Sequence, residues 1–297
     1  MNILITGGSG MVGKRLRNKL QEAGHDVRIL SRNPKGRAHY YAWSLEKREV
    51  DPEALLNLDT IIHLAGSGVA EGRWTKKRKA EIFESRIETA QLLYAKLEEN
   101  KQQISKFITA SGVGYYGPFP QGAVDESTGA GSGFLSEVCE KWEEAGQQFK
   151  DHGADIFVCR IGIVLAREGG FIGKLEPLIK RGLGSKLGKA SQMTSWIHID
   201  ELVNGIFQMV SGNIKAGIYN MVSPGAVSHS ALMDTLAAKL NRKIWAPNAP
   251  EFILKLVFGE LTDELLANQK VIPKALVDEG YKFRFPTIQT ALDDLYS

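Results

Sequence analysis

Three glycines near the N-terminus have the spacing of a loop that holds dinucleotide phosphates. Gly7, Gly10 and Gly13 lie between an apolar run that predicts a strand and an amphipathic run that predicts a helix. At such a junction the first glycine permits a tight turn, the second lets the backbone approach the pyrophosphate, and the third lets helix and strand pack closely. The phosphates then bind at the helix N-terminus, beside Met11, Val12 and Gly13.

The residues after the second predicted strand distinguish between the two common dinucleotides. An NAD site usually has a carboxylate there for the ribose hydroxyls, whereas an NADP site has a cation for the 2′-phosphate. This chain has Ser31 and Arg32, with no acidic residue in 30–33. Arginine presents a fork of N–H donors that matches phosphate. The pattern predicts NADP(H), and the alternative is that Arg32 is an ordinary solvated arginine.

The other reactive side chains form no recognisable site in the sequence. The six histidines lack the spacing of a metal motif, and Cys139 and Cys159 have no CxxC partner. We therefore predict no metal site and two reduced thiols. The strongest basic run, residues 73–79, is followed at once by Glu81 and Glu84. We interpret it as an edge of the cleft and not as a nucleic-acid or membrane surface.

Apolar β-rich runs alternate with helical patterns in the first half of the chain, which is typical of βαβ units that build a parallel sheet. Strands are predicted at 2–6, 26–30, 60–64, 106–110 and 155–163, and helices at 10–24, 75–99 and 134–150. Beyond them we predict a strand at 195–199, a helix through Val210 with Asp200 as its N-cap, and a strand at 218–222. The glycine- and lysine-rich stretch 169–188 predicts a functional loop.

This pattern divides the chain into two predicted domains of an α/β protein. Residues 1–222 form a Rossmann-like, doubly wound parallel sheet, and the loop region 165–200 contributes to its cleft. Residues 223–297 form a smaller, mainly helical C-terminal lobe. Two or three helical segments are predicted after Ser228, broken by Pro247, Pro250 and Pro273.

The composition is that of a globular protein with a sizeable core. Of 297 residues, 43% are hydrophobic and 24% charged, and 37 basic against 34 acidic side chains leave a net charge of +3. This near balance argues against nucleic acid as a partner, because phosphate-backbone binding depends on clustered cations. We recognise no transmembrane run and no signal peptide, so we expect a cytoplasmic protein without a membrane partner.

Together, the motifs resemble the extended and atypical short-chain dehydrogenase/reductases, and more narrowly their NAD(P)-binding epimerase family. The resemblance covers almost the whole chain and is carried by residues 6–13, 30–32, 63–66, 84–86, 111–117, 160–165 and 195–200. The tail from 260 to 286 looks like the characteristic C-terminal domain of this family.

The resemblance implies cofactor contacts beyond the glycine loop. They are Leu64, Ala65 and Gly66 after the third long strand, Glu81 and Arg86 on the helix that follows, and Val164 after a later strand. The positions suit an open parallel sheet, where ligands bind outside the carboxyl ends of the strands. For Arg86, the alternative is an exposed helical cation or the partner of a nearby glutamate.

The tyrosine and lysine that such enzymes use for hydride chemistry are missing here. In the family, the tyrosine is the acid/base group, and the lysine four residues later lowers its pKa. Phe134 and Val138 stand at these positions. Ser111 could instead orient a substrate oxygen, and Tyr115 or Tyr116 could donate a proton. The alternative is that both tyrosines only pack the loop and cap the cofactor pocket.

Two functions therefore remain open. One is an NADP(H)-binding oxidoreductase or nucleotide-sugar-epimerase-like enzyme that acts on a small polar metabolite between the sheet domain and the C-terminal lobe. The other is a non-catalytic NADPH-binding sensor or scaffold protein, which the missing tyrosine and lysine favour. Extended members of the family often dimerise through helices beside the active site, so a homodimer is an expectation.

Overall fold

The computed structural model of the chain describes residues 1–245, 248 and 251–297. Two of the predicted helix breaks, Pro247 and Pro250, lie outside the described residues. The strands are β1 (Asn2–Thr6), β2 (Asp26–Ser31), β3 (Tyr40–Ser44), β4 (Glu49–Val50), β5 (Thr60–His63), β6 (Lys106–Gly112), β7 (Ala123–Val124), β8 (Asp155–Ile161), β9 (Ile163–Leu165), β10 (Met193–Thr194), β11 (Trp196–His198), β12 (Gly217–Met221), β13 (Val227–Ser228) and β14 (Lys270–Val271).

The helices alternate with these strands and then dominate the tail. They are α1 (Met11–Glu22), α2 (Lys76–Glu84), α3 (Ile87–Glu99), α4 (Phe134–Gln147), α5 (Gly170–Lys180), α6 (Ile199–Val210), α7 (His229–Lys239), α8 (Glu251–Phe258), α9 (Leu261–Leu265), α10 (Lys274–Asp278) and α11 (Ile288–Leu295). In the described residues, no helix has both the length and the apolar character needed to cross a bilayer.

Eight strands form one central sheet in the order β12-β8-β6-β5-β1-β2-β3-β4. Neighbouring strands are parallel throughout, except for the antiparallel pair β3 and β4. The chain leaves β1 toward β2 on one side and continues with β5 on the other. Ligands bind at such a reversal of strand order, above the carboxyl ends of the strands. The predicted Rossmann-like, doubly wound α/β fold is confirmed.

The central strands are buried on both faces, because helices cover both sides of the sheet. Leu4 and Ile61 point into a cluster with α3 and α4, whereas Ile5 and Ile62 point into a second cluster with α1 and α6. All four side chains are fully buried. These near-continuous apolar runs explain why the sequence located the strands well.

The C-terminal segments return to the sheet domain and close over one end of it. β14 pairs in parallel with β7, and the Gln269 side-chain amide donates to the carbonyls of Val113 and Gly117 in the loop after β6. The buried Glu201 carboxylate on α6 accepts a hydrogen bond from the Tyr281 hydroxyl at 2.7 Å. The tail is therefore attached at several points along the upper edge of the sheet domain.

The helix predicted at 75–99 is wrong in one respect, because α2 and α3 are separate. Between them, the Ser85 hydroxyl accepts a hydrogen bond from the Ser67 amide at 3.0 Å, and the Arg86 guanidinium donates to the Ser67 carbonyl at 3.0 Å. These contacts with the loop after β5 turn the chain. They join residues far apart in sequence, so periodicity does not reveal them.

The loop predicted at 169–188 is also wrong, because α5 occupies much of it. Ile172 and Ile179 are buried on one face of this helix, in a cluster shared with α7 and α11. Glycines precede the helix and Pro177 lies inside it. These poor helix formers obscure the apolar spacing.

Two further predictions about the C-terminal half need correction. The N-cap of α6 is His198 and not Asp200, since the Nδ1 atom of His198 accepts from the Asp200 amide at 3.1 Å. The Asp200 carboxylate instead pairs with Arg15. The tail after Ser228 has five helices in its described residues, α7 to α11, and not two or three. Several of them are only one or two turns long and leave little periodic signal.

Candidate functional site

A cleft of about 1,230 Å³ opens above the carboxyl ends of β1, β2 and β5. It lies at the reversal of strand order, where an open parallel sheet binds its ligand. Its lining brings together eight of the residues predicted to bind cofactor: Gly7, Gly10, Ser31, Arg32, Leu64, Ala65, Gly66 and Glu81. The remaining predicted cofactor residues, Met11, Val12, Gly13, Arg86 and Val164, are not among the lining residues.

The glycine loop is packed so closely that side chains have no room at two of its positions. Gly7 adopts a φ of +71°, and a Cβ atom there would lie 2.6 Å from the Leu64 carbonyl oxygen. A Cβ on Gly13 would lie 2.6 Å from the Cα atom of Gly8 and nearer still to the Gly7 carbonyl oxygen. The turn is closed by the Gly10 amide, which donates to the Gly7 carbonyl at 3.0 Å.

The N-terminus of α1 fits a dinucleotide pyrophosphate. Gly10 is the N-cap, no side chain of the described chain caps it, and the first turn contains no acidic residue. The amide of Lys14 is bonded to the Gly10 carbonyl at 2.9 Å. The preceding amides, of Met11, Val12 and Gly13, are the groups that a helix leaves without internal acceptors. They would hold the phosphates through N–H donors and the positive end of the helix dipole.

Cations gather at the end of the cleft beside β2. Arg32, Lys35 and Arg37 all line it. Arg37 donates to the Asn33 carbonyl at 3.0 Å and stacks 4.1 Å from the ring centroid of Tyr40. Arg32 is exposed, and no carboxylate of the described chain is paired with it. This arrangement has the charge that a 2′-phosphate requires.

Arg86 supports the cleft from behind. Its guanidinium donates to the carbonyls of Ser67 and Ile82, both at 3.0 Å, and lies 5.1 Å from the ring centroid of Trp142. Burial lowers its pKa to about 10. A Cβ on Gly66 would lie 2.9 Å from the Arg86 Cζ atom, so the absence of a side chain at Gly66 lets the loop rest on the guanidinium.

Val164, Val12 and Met11, also predicted to bind the cofactor, do not line the cleft. Val164 pairs with Ile197 across β9 and β11. Val12 packs against the apolar cluster beneath α1. Met11 lies next to Gly169, where an added Cβ atom would be 3.4 Å from the Met11 sulfur. No residue of 165–200 lines this cleft in the described chain. Their roles toward the cofactor remain predictions.

Several lining residues were not identified from the sequence. They are Ser9, Asn33, Lys35, Arg37, Trp43, Leu45, Ser67, Gly68, Glu71, Glu84, Ser85 and Thr89. Arg78 belongs to the basic run interpreted as a cleft edge, and it donates to Glu81 at 3.0 Å and to the Gly68 carbonyl. Trp43 comes from β3, a strand that the sequence pattern did not predict. The one available signal for Arg37 was its closeness to Arg32 in the chain.

Ser111 and Tyr116 belong to a buried network centred on an ion pair. Arg160 donates to Glu143 at 2.9 and 2.8 Å, and both side chains are almost fully buried. The Ser111 hydroxyl donates to Glu143 at 2.7 Å. The Tyr116 hydroxyl donates to Asn220 at 2.7 Å and accepts from Arg160 at 3.0 Å. Burial raises the pKa of Tyr116 despite the nearby guanidinium.

Tyr115 differs from its neighbour. Its side chain is partly exposed, and the Arg160 guanidinium lies 3.4 Å from its ring centroid. Its carbonyl accepts from the Ser136 hydroxyl at 2.7 Å, which fixes the loop against the start of α4. In the described chain the Tyr115 hydroxyl has no hydrogen-bond partner. Of the three predicted catalytic hydroxyl groups, it is the one left available.

The helix positions of the missing tyrosine and lysine hold side chains that exchange no proton. α4 begins at Phe134, whose ring packs edge-on against Trp74 with centroids 5.0 Å apart. The Lys79 ammonium lies 5.0 Å from the Phe134 ring centroid and pairs with Glu260. Val138, one turn along α4, is buried.

Two family models match parts of the chain. Residues 3–134 match the NAD dependent epimerase/dehydratase family, and residues 249–295 match DUF1731, a domain of unknown function. The second match covers α8 to α11. An epimerase family protein of Mycobacterium bovis is 33% identical over 291 residues, which is 98% of this chain and 96% of that protein.

Solved structures with the same fold include dinucleotide complexes. Human epimerase family protein SDR39U1, isoform 2, solved with NADPH, is 30% identical with a TM-score of 0.88, covering 100% of this chain and 99% of the human chain. UDP-glucuronic acid 4-epimerase from Bacillus cereus, solved with UDP-glucuronic acid and NAD, is 16% identical with a TM-score of 0.78, covering 100% and 98%. At that identity the second likeness concerns the fold alone.

Proposed function

This chain belongs to the epimerase family and has the fold of NAD(P)-binding short-chain dehydrogenase/reductases. From this premise we propose that it is an NADP(H)-dependent oxidoreductase that acts on a small polar carbonyl compound or alcohol. The supporting observation is the cleft that joins the uncapped N-terminus of α1, the loop at 64–66 and Arg32. The human relative solved with NADPH supports the choice of cofactor.

The cations beside β2 are the basis for proposing NADP(H) and not NAD(H). Arg32 and Arg37 reach the end of the cleft where the 2′-phosphate of an adenosine would lie, and 30–33 contains no acidic side chain. We expect Arg32→Glu to weaken NADPH binding at least about tenfold while changing NADH affinity much less, since a charged hydrogen bond is replaced by repulsion.

Calorimetric titration of both dinucleotides checks this cofactor assignment. Arg48→Glu, which makes the same charge change in the turn between β3 and β4, is the control and should leave both affinities unchanged. Equal NADPH affinity in wild type and Arg32→Glu would overturn the assignment of Arg32.

Tyr115 is the proton donor that we propose for the reduction. The bound cofactor supplies a hydride to the carbonyl carbon, and the carbonyl oxygen then needs a proton to become an alcohol. The hydroxyls of Ser111 and Tyr116 are held by Glu143, Asn220 and Arg160. Tyr115 has an available hydroxyl, and the Arg160 guanidinium stacked on its ring holds the side chain in place. Solvent then returns the proton.

NADPH deuterated at the nicotinamide C4 tests the reaction directly. The protein is incubated with the labelled cofactor and a metabolite extract, and mass spectrometry detects any deuterium-labelled product. We expect a labelled alcohol with wild type, a strong loss of label with Tyr115→Phe, and no change with the control Tyr41→Phe. Label that persists in Tyr115→Phe contradicts the role of Tyr115.

The rival function is a non-catalytic NADPH-binding protein, and one observation favours it. Both Ser111 and Tyr116 have their hydroxyls committed to the buried network, and Phe134 cannot exchange a proton. If the protein binds NADPH but labels no product, the oxidoreductase proposal fails. A cofactor-retaining epimerase or a binding protein would then remain.

A further inference from the structure

Large apolar side chains stand exposed around α8. Trp245, Phe252 and Leu256 are 84%, 73% and 76% exposed. Ile253 and Val257 of α8 are exposed as well, and so is Leu183, which follows α5. Within α8 only Leu254 is buried. Scattered single apolar residues are normal on a protein surface, but a contiguous group of this kind marks a contact site.

Two segments of the chain form this surface together. The first segment is residues 180–192, which begins at the last residue of α5, and the second comprises residues 242–245, 248 and 251–258, which include α8. The Asn248 side-chain amide donates to the Gly188 carbonyl at 2.8 Å, and Arg242 donates to the Lys180 carbonyl at 3.3 Å. Gly184 also lies next to Ile244, because a Cβ atom added to Gly184 would be 3.6 Å from the Ile244 side chain. We call the exposed face of these two segments the α8 surface.

The α8 surface is strongly basic although the whole chain is nearly balanced. Its first segment contains four cations and its second contains three, against the single acid Glu251. Three of the seven are paired with carboxylates: Lys180 with Glu176, Lys186 with Asp234, and Lys255 with Glu251. Lys189 lies near enough to the Glu251 carboxylate to interact with it electrostatically, while Arg181 and Lys243 form no ion pair with a carboxylate of the described chain. The positive charge therefore stays available to a partner.

An anionic lipid bilayer is the partner that matches this combination. Aromatic and aliphatic side chains enter the boundary of the acyl chains, while surrounding cations bind lipid phosphates. The Lys243 ammonium lies 5.8 Å from the Trp245 ring centroid, so a cation stands beside the most exposed indole. A second copy fits less well, since a two-fold interface repeats the same surface on both sides and brings like charges together.

We propose that the α8 surface binds reversibly to the surface of an anionic lipid bilayer, with Trp245, Phe252 and Leu256 inserted at the level of the headgroups. The sequence did not lead to this partner, because the net charge of +3 hides a local excess of cations. The proposal is independent of the reaction in the cleft.

Sedimentation with lipid vesicles tests this proposal on the full chain. We expect wild type to bind vesicles of phosphatidylcholine mixed with phosphatidylglycerol, to bind pure phosphatidylcholine weakly, and to lose affinity as salt is raised. The Phe252→Ser/Leu256→Ser variant should bind the anionic vesicles about tenfold less tightly. Val277→Ser, which removes an exposed apolar side chain from α10, should bind like wild type.

Fluorescence and solution mass separate this proposal from other outcomes. Trp245 emission should shift to shorter wavelength on binding anionic vesicles, and Trp245→Phe should lose that shift. Unchanged thermal unfolding in the variants shows that they are folded. Absence of vesicle binding by wild type, or equal binding by Phe252→Ser/Leu256→Ser, overturns the proposal. A dimer in solution that the double variant dissociates, without vesicle binding, overturns it in favour of a second copy.

Discussion

Gly10 and Gly13 stand in the same loop, but their surroundings differ. A Cβ on Gly10 would meet only the Gly7 carbonyl oxygen, at 3.2 Å, and Gly10 has a φ of −73° that any residue adopts. A Cβ on Gly13 would collide with the backbone of Gly7 and Gly8. The missing side chain at Gly10 therefore leaves space for a ligand, whereas the missing side chain at Gly13 lets α1 pack against the backbone of Gly7 and Gly8.

This difference predicts two distinct phenotypes. We expect Gly10→Val to abolish NADPH binding with little change in melting temperature, because the new side chain projects where the pyrophosphate would lie. We expect Gly13→Ala to lower the free energy of unfolding by about 1–3 kcal/mol, because overpacking against backbone shifts α1. Urea unfolding and calorimetric titration measure the two effects. A Gly10→Val protein that still binds NADPH would contradict the assignment of the phosphate site.

At the scale of elements, a buried ion pair joins α4 to the centre of the sheet. Glu143 of α4 accepts from Ser111 of β6 and pairs with Arg160 of β8. A charge left alone in such a site is costly, because the protein replaces little of its hydration. The network therefore fixes how α4 lies against β6 and β8, beside the Tyr115 loop.

Replacing one residue of this ion pair should lower the free energy of unfolding more than replacing both. We expect Arg160→Met to lower the free energy of unfolding by about 3–5 kcal/mol, since Glu143 is then buried without a counter-ion. The double variant Arg160→Met/Glu143→Leu should recover most of that loss. Urea unfolding of the three variants, including Glu143→Leu alone, gives the comparison. A double variant no more stable than Arg160→Met would show that the network acts through shape and not through charge.

Elements with a local signal could be predicted from the sequence. β1 and β5 are continuous apolar runs, and three glycines mark the turn at Gly7, so the sequence predicted these strands and the loop that lines the cleft above their ends. The break at Ser85 and the helix α5 could not be predicted in this way. The first depends on hydrogen bonds with Ser67, and the second on burial of Ile172 and Ile179 against the tail. Trp43, from the unpredicted strand β3, likewise reaches the cleft only through tertiary packing.

For the whole molecule, buried histidines make stability depend on pH. Burial lowers the pKa of His63, His198 and His229 below 6.5, and for His63 burial together with the nearby Arg86 lowers it to about 3. The unfolded chain binds protons at these sites near pH 6.5, while the folded chain does not. Their contribution to stability is therefore complete above pH 6.5 and is lost as pH falls.

We expect the free energy of unfolding to fall by about 1.4 kcal/mol per pH unit for His63 alone between pH 6 and pH 4. Urea unfolding across this range measures the slope. His63→Asn, which keeps an acceptor for the Trp142 indole, should reduce it by that amount. Equal slopes in wild type and His63→Asn would show that His63 is protonated in the folded state.

The attachment of the tail also sets an order for the making of the protein. β14 pairs with β7, which lies almost 150 residues earlier in the chain. Glu201 likewise forms its hydrogen bond with Tyr281, a residue that is synthesised much later. During synthesis the N-terminal half emerges first and can fold as a unit. The loop after β6, which carries Tyr115, receives its contacts from Gln269 only after that much later residue has been synthesised. A nascent chain that has emerged only as far as α6 would therefore carry a formed nucleotide fold whose Tyr115 loop still lacks the contacts of the C-terminal segments.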